Sequence, residues 1–117
     1  MKAETVCQGC RLRFPHNLQA TKRTSYNCSA ECWSLFADVL GAEYNSVVVF
    51  RQVHQLTVDT YAVQHAGGEH PDKSVAIHLA GLYAAHTQRR QPADIAPWLQ
   101  QIANRTSRWP HFPPLLW

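Results

Sequence analysis

The sequence predicts a mainly α protein, a small bundle of about four helices with an N-terminal cysteine-rich, zinc-binding loop lobe. Apolar residues recur at helical spacing in successive segments after residue 28. All the cysteines, Cys7, Cys10, Cys28 and Cys32, lie near the N-terminus. The 117 residues suffice for one core and are too few for two. One domain is therefore expected over 1–117, with the zinc-binding lobe at 1–28, the bundle at 29–108 and an extended tail at 109–117.

Residues 1–28 show no periodicity and carry Gly9, Pro15 and Asn17. They read as loops that need something other than an apolar core to order them. Ser29 suits an N-cap, with Glu31 in the first turn. Trp33, Phe36, Leu40 and Tyr44 follow at helical spacing, with Leu35 and Val39 beside them, so the first helix runs to about Tyr44. Asn45-Ser46 restarts the chain. Val47–Phe50 is β-branched and open to an extended reading, but Phe50, Val53, Thr57, Tyr61 and Gln64 keep a helical rhythm up to His65. Ala66-Gly67-Gly68 supplies the stop. Leu56, Val58 and Val63 fall on other faces, so this second helix is expected to be central and buried.

Pro71-Asp72 opens a third helix from Lys73 to about Gln88, with Val75, Leu79, Leu82 and Tyr83 inward. Pro92 to Arg108 forms a fourth on the stripe Ile95, Trp98, Leu99 and Ile102, and Pro97 fits only in its first turn. Trp109 to Pro114 cannot be helical and reads as a strap anchored by its aromatic rings.

Hydrophobic residues make up 45% of the chain and charged residues 16%, which excludes a disordered chain. No secretory signal is visible after MKAETVCQGC, and no run approaches the ~20 apolar residues of a membrane span. A cytoplasmic protein is expected, where reduced thiols favour metal over disulfide. The formal charge of +3 reads as solvated surface and gives nucleic-acid binding only weak support.

Cys7-Gln-Gly-Cys10 has the spacing that lets two thiolates reach one ion, with Gly9 permitting the tight turn. Cys28 and Cys32 lie at a helix start, where the dipole stabilises thiolate. Zn2+ held by Cys7, Cys10, Cys28 and Cys32 is the leading reading; a redox pair and inert thiols are the alternatives. A histidine replacing Cys28 is a variant of the zinc site.

The second helix places His54, Tyr61 and His65 on one face at i, i+7 and i+11, with Asp59 pointing elsewhere. His78 sits among core residues of the third helix. Burying each such group costs about 1–3 kcal/mol unless partners satisfy it. Three readings follow: a structural network, a second site built from His54, Asp59, His65 and His78, or His54 or His65 completing the cysteine cluster. His16, His70, His86 and His111 read as surface or loop residues.

Cys7-Gln-Gly-Cys10, Ser29-Ala-Glu-Cys32-Trp33, the string His54-Gln-Leu-Thr-Val-Asp-Thr-Tyr-Ala-Val-Gln-His65 and Val75-Ala-Ile-His78-Leu79 together resemble an uncharacterised bacterial family, a domain of unknown function. The resemblance covers most of residues 7–82. It implies a small metal-binding protein and no particular activity. A proline usually follows the last histidine of the string, where this chain has Ala66. The position of Cys28 is not usually cysteine in that family, which favours Cys7, Cys10 and Cys32 plus a histidine.

The functional expectation is a zinc-stabilised binding module for an unknown protein or small-molecule partner, with no membrane association. The alternative is a metal-dependent enzyme between the second and third helices, with His54, Asp59, Tyr61, His65 and His78 as candidate catalytic residues. A third reading is a redox or metal sensor using Cys7 and Cys10.

Overall fold

A computed structural model describes residues 3–116. Its elements run β1 (Glu4–Val6), β2 (Arg13–Pro15), α1 (Ala30–Tyr44), α2 (Val47–Gln64), α3 (Asp72–His86) and α4 (Pro92–Arg105). The four expected helices are present. The lobe is more ordered than its sequence suggests, because β1 and β2 pair antiparallel with Thr5 opposite Phe14. Cys7 and Cys10 lie in the connection between these strands. Arg11 turns the chain there at φ 66°, in the left-handed region.

Caps decide the helix starts. The Ser29 hydroxyl accepts from the Cys32 N–H at 3.1 Å and so starts α1. Ser46 does the same for Val49 at 3.3 Å. That second cap makes Val47–Phe50 the first turn of α2 and removes the extended alternative. Gly67 and Gly68, both at positive φ, turn the chain after α2. The last two helices end earlier than periodicity suggests, at His86 and Arg105. Pro97 lies one turn deeper in α4 than expected, on its exposed side, where water can serve the freed carbonyl.

α2 is central and packs against α1, α3 and α4. It is not buried all round: Val47 and Val48 are exposed, and Leu56 faces solvent in part. The inward face of α3 also differs from expectation. Val75, Gly81 and Ala84 are buried, whereas Leu79 and Tyr83 face outward. Close approach explains it, since a Cβ on Gly81 would lie 2.7 Å from Asp59 Cγ. Large side chains cannot occupy that seam.

Two apolar clusters result. One joins Cys7, Cys28 and Cys32 to Phe36 and Tyr61, whose rings stack at 3.9 Å. The other joins α3 and α4 through Ala84, Ile95 and Leu99. The tail lies against the start of α3, where the Phe112 N–H donates to Asp72 Oδ1 at 2.9 Å. None of the described helices is long and apolar enough to cross a membrane.

Candidate metal centre

The polar residues of α2 serve three neighbours at successive levels along the helix. Near its start, His54 Nδ1 lies 3.0 Å from Glu43 Oε1 of α1, and the Thr57 hydroxyl donates to Glu43 Oε2 at 2.6 Å. Glu43 is buried, so these partners replace the water it loses. Midway, both carboxylate oxygens of Asp59 accept from the Gln55 amide, and Oδ1 also sits 2.8 Å from His78 Nδ1 of α3. His78 Nε2 in turn lies 3.3 Å from the Tyr26 hydroxyl.

At the C-terminal end of α2, His65 turns towards the lobe. Its Nδ1 lies 2.6 Å from the Tyr61 carbonyl. A carbonyl only accepts, so Nδ1 carries the proton and Nε2 presents a lone pair. That lone pair faces sulfur, with Cys32 Sγ 3.4 Å away. The backbone around it is tied to the lobe, since the Asn27 N–H donates to the His65 carbonyl at 3.0 Å. His70 Nδ1 donates to the same carbonyl at 2.8 Å.

Cys7, Cys10, Cys32 and His65 thereby form a donor group whose ligand atoms all lie within 4.8 Å of one another. Cys10 Sγ and Cys32 Sγ are 3.9 Å apart. A tetrahedral ion with sulfur at about 2.3 Å and nitrogen at about 2.0–2.1 Å separates two sulfurs by about 3.8 Å and sulfur from nitrogen by about 3.5 Å. The Cys10–Cys32 and Cys32–His65 spacings match that geometry. Three of the four donors are buried, and Cys10 alone is partly open.

Cys28 stands outside this group although it is fully buried, so His65 takes the fourth place. His54 is committed to Glu43 and is not near the sulfurs. Tyr61 supports the group from behind, its hydroxyl donating to Cys32 Sγ at 3.3 Å. Asp59 and His78 meet each other between α2 and α3, away from the cysteines. No second group of three or more His, Cys, Asp or Glu side chains has metal-ligand spacing among the described residues.

Burial raises the Cys32 thiol well above its ordinary range, against the opposing Tyr61 hydrogen bond. It raises Cys10 too. At Cys7 burial also acts upward, but the N–H groups of Cys10, Ser29 and Gly9 outweigh it and the net shift is downward. His65 is lowered by burial and so is held neutral, the form that ligates metal.

Gly9 has a role beyond the expected turn. A Cβ there would come within 2.7 Å of His65 Cδ2 and would also meet the Asn27 carbonyl. His70, read as a loop residue, is buried, stacked on Tyr26 at 4.1 Å and within 2.7 Å of the Ser74 hydroxyl. Sequence reasoning also missed Glu43 and Tyr26 as partners. Their signal was the surplus of polar side chains on α2, each of which needed one.

A cleft of about 440 Å³ opens beside the donor group, between α1 and α2. Cys10, Cys32 and His65 are among the residues that line it.

The fold and this geometry define a small helical protein with a Cys3His cluster at metal-binding spacing. The chain belongs to a family of unknown function, DUF5946, which it matches over residues 5–117. No curated protein and no solved structure matches it.

Proposed function

We propose that the protein is a zinc-stabilised helical binding module, with Cys7, Cys10, Cys32 and His65 as the four ligands. The observation that carries this reading is the closeness of the four donor atoms, within 4.8 Å, with three of them buried. Thiolate and imidazole donors in tetrahedral spacing suit zinc. A site whose four positions are all filled by protein is structural in type, because none is left for water or substrate. Zinc would tie the β1–β2 connection, the start of α1 and the end of α2 together, and its binding energy becomes folding energy. The contact surface for a partner is the cleft between α1 and α2.

Elemental analysis with chelation tests this. One zinc per chain is expected, with loss of the ordered lobe on chelation and weakened zinc binding in His65→Ala. Metal content unaffected by His65→Ala would refute the ligand set.

A second reading, an enzyme site between α2 and α3, is favoured by the 2.8 Å contact of Asp59 with His78 and by the Tyr26 hydroxyl beyond it. A second bound ion, lost in His78→Ala without unfolding, would support it over the module.

A further inference from the structure

Cys10 differs from the other two cysteines of the cluster in both access and surroundings. Cys7 is fully buried and receives N–H groups from Cys10, Ser29 and Gly9. Cys32 is 4% exposed and accepts the Tyr61 hydroxyl. Cys10 is the one partly open donor, receives one backbone N–H, from Leu12, and lines the cleft. Hydrogen bonds to a thiolate spread its charge and lower its nucleophilicity. Among three thiolates on a doubly charged ion, negative charge remains in excess. Cys7 accepts the most such bonds, Cys10 and Cys32 accept one each, and of these two Cys10 is the one open to an incoming molecule.

The cleft indicates what such a sulfur would meet. Leu12, Leu35, Val39 and Leu56 form its walls, and Phe36 and Tyr61 lie deeper. No Asp, Glu, Lys or Arg is among its described lining residues. Its volume, about 440 Å³, is that of a small-molecule site. A neutral, apolar molecule matches these walls, whereas a charged one would lose its hydration without gaining a partner.

We propose that Cys10 is the reactive thiolate of this centre, accepting an alkyl group from a small neutral alkylating agent bound in the cleft between α1 and α2. The proposal rests on the metal reading above. In the step, the Cys10 Sγ electron pair attacks the alkyl carbon. The sulfur–carbon bond forms as the bond from that carbon to its leaving group breaks, and the leaving group departs with the electron pair. No proton moves, because the sulfur is already a thiolate. The product is a thioether at Cys10, with Cys7, Cys32 and His65 still in place.

The test treats the zinc-loaded protein with iodoacetamide and with N-butyl-iodoacetamide, which share one reacting carbon. Peptide mass spectrometry locates the adduct, and zinc content is measured before and after. The first adduct is expected on Cys10 with zinc retained and buried Cys28 untouched. After correction for rates with a small free thiol, the butyl reagent is expected to react about tenfold faster, from burial of its chain. Leu35→Gln and Leu56→Gln should each bring that ratio towards one. An adduct shared with Cys7 and Cys32, one formed on Cys10 only after zinc is lost, or equal corrected rates would overturn the proposal. A purified protein without zinc would overturn the metal reading as well, whereas zinc without Cys10 selectivity overturns this proposal alone.

Discussion

Two helical glycines should respond to alanine in opposite directions. Gly81 of α3 faces Asp59, and a methyl group there would meet the carboxylate, with Cγ only 2.7 Å away. Asp59 is 1% exposed and is held by Gln55 and His78. Displacing it strains a packed seam, at about 1–3 kcal/mol, and weakens hydrogen bonds to a charged group worth about 1.5–3 kcal/mol. The gain in helix propensity offsets about 1 kcal/mol of this. Gly81→Ala should therefore destabilise by about 2–4 kcal/mol. Gly41 of α1 is exposed, and an alanine methyl there would find nothing within 4 Å. Gly41→Ala should stabilise by about 0.5–1 kcal/mol. Urea unfolding of the zinc-loaded variants, followed by helical circular dichroism, reads both values. Gly81→Ala as stable as Gly41→Ala would refute the argument that close approach around a buried carboxylate sets the α2–α3 seam.

Other outcomes follow from single contacts. Ser29→Ala removes the cap on α1 and should cost about 1 kcal/mol in the same unfolding assay. Tyr61→Phe removes the donor to Cys32 and keeps the ring; zinc affinity by competition with a chelator should fall about 10- to 100-fold. The Phe112 N–H first, and then the contact with His111, holds the Asp72 carboxyl below the usual carboxylate range. A carboxyl lowered by folding stabilises the strap above its unfolded value, about pH 3.9, and loses that effect as pH falls through the folded value. The protection factor of the Phe112 amide, its exchange corrected for the intrinsic rate at each pH, should fall on that acid side, and in Asp72→Ala already at neutral pH.

The helices were legible because their apolar rhythm and their caps agree, as at Ser29 and Trp33. The hairpin was not, since strands of three residues are too short to display alternation. On α3 the hydrophobic count favoured Leu79 and Tyr83, which are 42% and 53% exposed. Packing there is set by small residues meeting a carboxylate, which hydrophobicity does not register. The cysteine pattern carried three members of the donor group, and the resemblance added the hint that a histidine replaces Cys28. Choosing His65 over His54 depended on Glu43, a distant partner that removes His54 from the choice. His70 was misread because a loop position suggested exposure, whereas Tyr26 and the His65 carbonyl bury and hold it.

The central claim is that one zinc ion sits between three cysteines and His65. X-ray absorption at the zinc edge, together with metal content, tests it most directly. The account predicts one zinc per chain, with three sulfurs at about 2.3 Å and one nitrogen at about 2.0–2.1 Å. A shell of four sulfurs, which would bring in Cys28, or a protein purified without bound metal would contradict it.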